Sequence, residues 1–286
     1  MEFGKSMLEN FLLNNDYSMI NHGSWGAVPK EVFDYKMKLL RDHEALPEYF
    51  FRKTLYEEQE RNSEAIAKFV GTEPNSVALT DNTTFGVNSS IMSAPLSEGD
   101  SILVQSFTYK ATACVAERIA EQKGFIVRTL DIRLPIKSDD DIVQLYANEL
   151  EKYPDIRMII LDHISSAVPI LWPVEKLMNL FRAYDVIILI DGAHAPGQVS
   201  VCLDELQPDY YVASLHKWNF VPRSCGMLYV ADGRQESMHN IMTSFKYKAR
   251  PFQKRFHYIG TRDFSSLFCW TQSRNFVEKC GGLVNI

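Results

Sequence analysis

The chain has 286 residues, of which 46% are hydrophobic and 23% charged, a composition typical of a folded globular protein rather than a disordered one. The net charge of -6 argues against general nucleic-acid binding, and no apolar run approaches membrane-spanning length. Five widely spaced cysteines without a C-x-x-C pair favour a reducing compartment, and the N-terminus shows no targeting pattern, so we expect a cytoplasmic protein.

The first part of the chain is expected to contain a leader, a loop and two helices. After the leader at residues 1–19, segment 20–29 places polar and aromatic side chains between glycines and a proline. This pattern is compatible with a loop that holds a ligand and equally with a packed loop that enters the next helix. Pro29 then begins a helix that we expect to reach His43, and a second amphipathic helix covers about 54–69.

From residue 75 onward, short apolar runs alternate with helix-like segments. The predicted strands are 76–79, 101–105, 125–130, 158–161, 186–190, 210–213 and 227–230, and the predicted helices between them are 84–92, 111–122, 141–152 and 175–184. Several of these strands are apolar throughout, as burial on both faces requires. The sequence therefore predicts an α/β fold, a three-layer domain with a mostly parallel sheet of about seven strands. In such sheets ligands bind beyond the carboxyl ends of the strands.

The first two predicted strands are followed by a polar turn and by an aromatic residue. Residues 80–88 form a polar turn that enters a helix, where free N–H groups and the helix dipole favour a phosphate. The alternative is a simple N-cap by Asn82 or Thr83. Tyr109, after the second strand, is compatible with stacking on a ligand or with ordinary packing.

Later strands end in carboxylates, imidazoles and a lysine. Asp191 directly follows five apolar residues, so its carboxylate needs a cationic or strong donor partner, although an Asp-Gly pair also occurs in plain turns. Lys217 follows the strand at 210–213 and is flanked by His216 and Trp218, so partial desolvation is expected to make its amine nucleophilic. Taken alone, the same lysine is compatible with an ordinary surface position.

Two chemistries fit this set of strand-end residues. Pyridoxal phosphate requires a lysine for its aldehyde, a buried carboxylate for its ring nitrogen and a helix N-terminus with hydroxyl donors for its phosphate. The alternative is a metal-dependent hydrolase, which would use a set of histidines and aspartates as ligands: His163, His194, His216, Asp162 and Asp191. That alternative leaves Lys217, Tyr109 and the phosphate turn without a role.

The ordered motifs 82–88, 162–166, 191–197, 214–218 and 260–263 resemble the class V aminotransferase family, and in particular its branch related to isopenicillin N epimerase and cysteine desulfhydrases. The resemblance covers about residues 20–274. It implies a fold-type-I pyridoxal-phosphate enzyme in which Lys217 binds the cofactor, Asp191 pairs with the ring nitrogen, His194 adds a contact and Tyr109 stacks on the ring. It further implies that the phosphate is held by Thr83, Thr84, Ser214 and His216, and that Thr261 reaches the site of the neighbouring subunit in a homodimer.

The resemblance also sets expectations for the C-terminal part of the chain. We expect residues 20–240 to be the cofactor-binding large domain and 241–286 to be a loop and a linker helix, beginning at Ser265, that leads to a small domain absent from this sequence. Without that domain, apolar residues of the linker helix are expected to be exposed, namely Leu267, Trp270 and Phe276. The basic and aromatic segment 245–256 is interpreted as a loop near the site, with nucleic-acid binding as the weaker alternative.

The resemblance favours β-elimination of sulfur from a cysteine-type amino acid, with no nucleic acid, membrane or metal involved. Racemisation or epimerisation, transamination, and cofactor binding without turnover remain as alternatives. The arginine that normally binds the substrate carboxylate in the family lies in the small domain. The expected substrate contacts here are Ser165, Arg262 and the asparagine-histidine pair of the loop at 20–29, with its side chains expected at positions 22 and 23.

Overall fold

A computed structural model describes residues 4–282, and within this range seven strands form one sheet in the order β1-β7-β6-β5-β4-β2-β3. The strands are β1 (Val77–Thr80), β2 (Ser101–Gln105), β3 (Ile126–Leu130), β4 (Ile156–Asp162), β5 (Ile187–Asp191), β6 (Tyr210–Ser214) and β7 (Gly226–Val230). Neighbouring strands from β3 to β6 are parallel, whereas β7 is antiparallel to both β6 and β1. The predicted mostly parallel α/β sheet is thus confirmed.

The α-helices of the described residues are α1 (His22–Trp25), α2 (Lys30–Ala45), α3 (Pro47–Tyr49), α4 (Leu55–Phe69), α5 (Thr83–Ser93), α6 (Lys110–Lys123), α7 (Asp139–Lys152), α8 (Val174–Phe181), α9 (Leu203–Leu206), α10 (Asp232–Gln235) and α11 (Trp270–Lys279). A π-helical stretch at Phe50–Thr54 joins α3 to α4, and short 3-10 helices occupy Lys5–Asn10, Pro74–Ser76, Phe252–Arg255 and Ser265–Phe268. None of the helices within 4–282 is long and apolar enough to span a membrane.

The sheet separates two apolar layers, which explains why apolar and polar residues do not alternate along its central strands. Alternate residues of β5 belong to different layers: Ile188 and Ile190 pack on one side, and Ile187 and Leu189 on the other. One layer includes buried residues of α4, α8 and α11, and the other those of α5 and α6. Both faces of the strand are therefore covered, as a fully apolar run predicts.

The linker helix differs from its prediction in length and in exposure. Ser265–Phe268 is a 3-10 turn, and the α-helix begins only at Trp270. Leu267, Trp270 and Phe276 are all buried, because they join the same apolar layer as α4. The expectation that these residues are exposed is therefore wrong. Residues 1–3 of the predicted leader and residues 283–286 of the tail lie outside the described residues.

A close helix–strand contact brings the start of α5 to the end of β6. A Cβ added at Gly86 would lie 2.6 Å from Cγ1 of Val212, so only glycine allows the helix to approach the strand this closely. This contact carries the first turn of α5 to the carboxyl end of β6, where Ser214 is the last strand residue.

The N-terminal segment lies against the loop that follows β6. Gly26 has φ +69°, and an added Cβ would lie 2.0 Å from the carbonyl oxygen of His216, so both the backbone angle and the space require glycine. Nη1 of Arg223 donates hydrogen bonds to the carbonyl oxygens of Trp25 and Gly26, at 3.1 and 2.8 Å. These contacts hold α1 beside Lys217.

Candidate active site

A cavity lies beyond the carboxyl ends of the central strands, and we call it the strand-end cavity. It is lined by Ser24, Trp25, Asn82, Thr83, Thr84, Tyr109, Asp162, Ile164, Ser166, Asp191, Ala193, His194, Ser214, His216 and Lys217. The predicted lysine, carboxylate, aromatic ring, imidazoles and hydroxyls thus meet at one place. They come from the ends of different strands because parallel strands present their carboxyl ends at a common edge.

Lys217 follows β6 and is largely enclosed. Its Nζ lies 3.0 Å from Nε2 of His194, and Nδ1 of the same imidazole accepts a hydrogen bond of 3.2 Å from the indole N–H of Trp218. Burial lowers the pKa of Lys217, with the nearby Asp191 carboxylate acting in the opposite direction. The lower pKa increases the fraction of uncharged amine, which is the nucleophilic form.

Asp191 ends β5 and is only 3% exposed. Its Oδ2 accepts a hydrogen bond of 2.9 Å from the Thr112 hydroxyl, and its Oδ1 accepts one of 3.1 Å from the Ala193 amide. Burial raises the pKa of Asp191, whereas the two hydrogen bonds and the charge of Lys217 favour the ionised form. This carboxylate is fixed in position and forms no salt bridge within residues 4–282, so it is available as the counterion of a bound cationic ring.

Asp162 is a second buried carboxyl group on the neighbouring strand. It ends β4 in register with Asp191, is 2% exposed, and neither of its oxygens makes a hydrogen bond of normal geometry among residues 4–282. Burial raises the pKa of Asp162 to about 8, and the charge of Asp191 adds to the effect, whereas the side chain of Gln105 acts in the opposite direction. Because Asp191 holds the stabilising partners, we assign the proton of this pair to Asp162 at neutral pH.

The start of α5 forms the anion-binding end of the cavity. Asn82 is the N-cap, and its Oδ1 accepts a hydrogen bond of 2.9 Å from the Phe85 amide, so the capping alternative is present in the structure. The hydroxyls of Thr83 and Ser214 lie 2.7 Å apart and are both buried. A helix N-terminus and two convergent hydroxyls provide donors for a phosphate, so capping and phosphate binding are compatible.

His216 and Tyr109 complete the lining of the cavity. Nδ1 of His216 donates a hydrogen bond of 2.8 Å to the carbonyl oxygen of Cys225, so its Nε2 can donate to an anion only when the ring is protonated. Burial lowers the pKa of His216, which a bound phosphate would counteract. Tyr109 precedes α6 and is 49% exposed, which leaves one face of its ring free to cover a ligand.

Apart from the pair in the loop at 20–29, three of the predicted site residues lie outside this lining. Thr261 belongs to a separate exposed surface and pairs with the Tyr258 hydroxyl at 2.7 Å. Arg262 forms an ion pair with Asp81. Ser165 is buried and donates a hydrogen bond of 2.5 Å to the carbonyl oxygen of residue 168. None of the three side chains is therefore placed to contact a substrate in the strand-end cavity.

The substrate contacts expected at positions 22 and 23 need a correction. The asparagine-histidine pair of this loop is Asn21 and His22, and residue 23 is Gly23, which has no side chain to contact a substrate. A Cβ added at Gly23 would lie 3.0 Å from the Trp218 ring, so a histidine has no room there. His22 donates from Nε2 to the Lys217 carbonyl at 2.9 Å, and Asn21, immediately before α1, is exposed. His22 therefore supports the backbone of the lysine loop, and neither residue lines the cavity.

Several residues of the site were not selected from the sequence. Thr112 lies inside α6, where nothing in the local pattern marks it as a partner of Asp191. Ser166 lines the cavity in place of the expected Ser165, because a single step along an irregular segment turns the side chain away. Ser24 and Trp25 could have been proposed from their glycine-flanked loop.

The metal alternative lacks a set of ligands. No three histidine, cysteine, aspartate or glutamate side chains within 4–282 form a group that could hold a metal ion. His163, one of the proposed ligands, instead places Nδ1 2.9 Å from the Tyr211 hydroxyl. The same strand ends do fit pyridoxal phosphate, since a buried fixed carboxylate, an amine and a hydroxyl-lined helix start all line one cavity.

Comparison with known proteins agrees with this chemistry. The model of the family described as aminotransferase class-V matches residues 26–268. The chain therefore belongs to the class-V aminotransferase family of pyridoxal-phosphate-dependent enzymes, as the sequence motifs predict.

Its curated relatives include enzymes of sulfur metabolism. The chain is 30% identical to the L-cysteine desulfhydrase-like protein lolT1 of Epichloe uncinata, with 98% of this chain and 67% of the relative covered. It is 27% identical to hercynylcysteine sulfoxide lyase of Schizosaccharomyces pombe, with 87% and 63% covered. Isopenicillin N epimerase of Streptomyces clavuligerus is also 27% identical, with 97% and 72% covered. The chain thus spans about two thirds of the length of these relatives.

Solved structures share the fold. A mutant of C-DES with glycine covalently linked to its pyridoxal phosphate cofactor has a TM-score of 0.84 at 20% identity, covering 97% of this chain and 75% of that one. The complex of the cystine C-S lyase C-DES with its product cysteine persulfide has a TM-score of 0.81 at 21% identity, covering 92% and 72%. At these identities the similarity establishes the fold alone.

Proposed function

We propose that the protein is a C–S lyase that removes a sulfur group from the β-carbon of a cysteine-type amino acid. The observation that carries this proposal is the placement of the Lys217 amine, the fixed Asp191 carboxylate and the Thr83–Ser214 hydroxyl pair around one cavity. Names of the relatives, which include desulfhydrase-like and sulfoxide lyase enzymes, support the choice of sulfur chemistry.

Each residue has a defined task in this proposal. When bound, pyridoxal phosphate supplies an electron sink for negative charge that develops at the substrate α-carbon. Asp191 would hold the ring nitrogen, and Thr83, Thr84, Ser214 and His216 would hold the phosphate. Lys217 Nζ would bind the cofactor and, as a free amine, would accept the α-proton of the substrate.

The substrate carboxylate has no arginine partner in the strand-end cavity, because no arginine lines this cavity within residues 4–282. Arg262 is paired with Asp81, and Arg223 is hydrogen-bonded to the N-terminal segment. The hydroxyls of Ser24 and Ser166 are among the polar groups of the lining that the cofactor contacts above do not use. We therefore propose weak carboxylate binding, which would appear as a high KM for cysteine in this chain.

The cofactor assignment is tested by substitution of Lys217. The 286-residue chain incubated with pyridoxal phosphate and then borohydride should retain one cofactor per chain on the peptide that contains Lys217, as read by mass spectrometry. Lys217→Ala should abolish this adduct. The matched control is Lys110→Ala, because Lys110 begins α6 at the same edge of the sheet but lies outside the cavity lining. An adduct of equal yield in Lys217→Ala would refute the assignment.

The reaction is tested by product analysis. With L-cysteine, the wild-type chain should release sulfide and pyruvate in equal amounts, and Lys217→Ala should release neither. Formation of D-cysteine without sulfide would instead indicate racemisation, and a keto acid with an aminated cofactor would indicate transamination. A chain that carries the cofactor but does not convert L-cysteine would refute the lyase proposal and leave cofactor binding as its activity.

We also propose that the chain forms a homodimer in the cytoplasm. In this proposal Thr261, on its exposed surface, completes the cofactor site of a second copy, and residues 20–240 form the cofactor-binding domain, with 241–286 as the linker. Sedimentation analysis at several chain concentrations tests the dimer. A single monomeric species that binds cofactor with full stoichiometry would exclude it.

A further inference from the structure

Trp218, His194 and Lys217 form a short chain of nitrogen-to-nitrogen contacts at the mouth of the cofactor site. The indole Nε1 of Trp218 lies 3.2 Å from His194 Nδ1, and His194 Nε2 lies 3.0 Å from Lys217 Nζ. The ring of His194 therefore has one hydrogen-bond contact at each nitrogen. Which atoms carry the protons follows from the donor and acceptor capacity of each group.

The indole nitrogen is a donor only, so His194 Nδ1 must be the acceptor and carries no proton. A neutral imidazole has one protonated nitrogen, which places the proton on Nε2. The Nε2–H group then donates to Lys217 Nζ, and a nitrogen that accepts a hydrogen bond must have a free lone pair. An ammonium group has no lone pair, so this arrangement requires an uncharged lysine.

We propose that the Trp218 indole N–H fixes the tautomer of His194, so that His194 donates to Lys217 Nζ and holds the lysine as an uncharged amine before the cofactor arrives. Trp218 is thus a positioning residue that acts on the lysine through His194. This inference rests on the proposed cofactor-binding role of Lys217, which it extends to the state that precedes binding.

On balance, the groups that face Lys217 also favour its uncharged form. Burial is the main cause that lowers the pKa of His194 to about 4, so the imidazole is neutral at pH 7. Burial also lowers the pKa of Lys217 and of His216. Of the acidic groups, Asp191 opposes the effect, and Asp162 is protonated. The third imidazole, that of His22, is hydrogen-bonded to the carbonyl oxygen of Lys217 and not to its amine.

The first experiment reads the tautomer directly and needs no cofactor. Nitrogen-15 NMR of the apo chain labelled at histidine should show His194 with a protonated Nε2 and an unprotonated Nδ1 from about pH 6 to 8. The His194→Gln spectrum identifies the signals by their loss. In Trp218→Phe, which removes the N–H and keeps an aromatic ring, Nδ1 should become partly protonated. A protonated Nδ1 in the wild type would overturn the proposal.

The second experiment measures how fast Lys217 captures the cofactor as a function of pH. Trp218→Phe should move the midpoint of the rate profile upward by about one pH unit, which lowers the rate at pH 7 about tenfold. Trp172→Phe is the matched control, because the indole N–H of Trp172 has no hydrogen-bond partner among residues 4–282. An unchanged midpoint in Trp218→Phe would overturn the proposal.

A rescue experiment separates positioning from simple structural support. The glutamine side chain of His194→Gln keeps an N–H donor whose orientation does not depend on an indole. The double variant, which also carries Trp218→Phe, should therefore have the same midpoint as His194→Gln alone. Equal shifts in both backgrounds would show that Trp218 acts without His194 and would refute the proposal. If Lys217 captures no cofactor at all, the proposed function fails, while the NMR result still decides the tautomer.

Discussion

Two hydroxyl pairs in this molecule have the same oxygen-to-oxygen distance and very different surroundings. Thr83 and Ser214 lie 2.7 Å apart inside the strand-end cavity, where they are 7% and 4% exposed. Tyr258 and Thr261 also lie 2.7 Å apart, but on a surface open to solvent beside Phe245 and Tyr56. The hydroxyl contact itself therefore does not make a site; burial and the neighbouring charges do.

Around the buried pair, nearly every ionisable group is shifted. The pKa values of Asp162 and Asp191 are raised, and those of Lys217, His194 and His216 are lowered, each mainly by burial. The exposed pair instead has aromatic neighbours, with Phe245 and Tyr258 ring centroids 4.9 Å apart. Substitutions in the two regions should therefore differ in size, and this difference can be measured.

The largest effect is expected for Asp191→Asn. The amide keeps the shape and can still accept from Thr112 through its oxygen, but it removes the charge that would hold the ring nitrogen in its protonated form. We expect sulfide release to fall about 100-fold to 1000-fold, equivalent to about 3–4 kcal/mol. Steady-state kinetics with saturating cofactor measures this loss. Full activity would show that the ring charge is not set by Asp191.

The next effect concerns stability and tests the proton on Asp162. The pKa of this group rises from 3.8 to about 8 on folding, so between these values the folded chain holds a proton that the unfolded chain has lost. The contribution of this proton to wild-type stability should therefore be complete below about pH 4, decrease as the pH rises to about 8, and remain constant above. Asp162→Asn, which stays neutral, should lack this decrease and be more stable at about pH 8, by on the order of 2–4 kcal/mol.

Urea unfolding of the cofactor-free chain at several pH values measures this difference. Asp155→Asn provides a control of opposite sign, because hydrogen bonds from Ser101 and Arg128 lower the pKa of Asp155. That variant should be less stable than the wild type at neutral pH and should approach it as the pH falls. Parallel pH profiles for Asp162→Asn and the wild type would show that Asp162 is ionised in the folded chain.

A smaller effect is expected at the anion-binding end. Ser214→Ala removes one of two convergent hydroxyls while the start of α5 and Thr83 remain. We expect the Kd for pyridoxal phosphate to rise about tenfold, since loss of one hydrogen bond to a charged group costs about 1.4 kcal/mol or more. Fluorescence titration measures this change. Ser89→Ala, a buried serine in the middle of α5, is the matched control and should leave the Kd unchanged.

The sequence predicted the sheet and most of the cavity because both follow from local patterns. Apolar runs such as that of β5 indicate buried parallel strands, and topology then brings the residues after them together. Thr112 could not be predicted in this way, because its contact with Asp191 depends on how α6 packs over the sheet. The protonated state of Asp162 could not be predicted either, because it depends on how deeply tertiary packing buries this carboxyl group and on its distance from Asp191.

The burial of the linker helix shows a second limit of prediction from the sequence. Trp270 and Phe276 were expected to be exposed because the resemblance assigns their packing partners to the small domain of the family. In the structure they pack in the same apolar layer as Ile66 and Leu55 of α4. A pattern of apolar residues indicates that a face is buried, but the surface that buries it is determined by tertiary packing.

The smallest effect is expected at the exposed pair. Thr261→Ala removes the hydroxyl that meets Tyr258, and because Thr261 is exposed to water the free energy of unfolding should change by less than about 0.5 kcal/mol. If a second copy covers this surface, the same variant should also weaken cofactor binding, and only at chain concentrations at which dimers form. Tyr56→Phe, on the same surface, is the control and should leave both quantities unchanged. The opposite result is a Thr261→Ala variant that binds the cofactor with the wild-type Kd at every chain concentration. That result would show that Thr261 does not contribute to the cofactor site of a second copy.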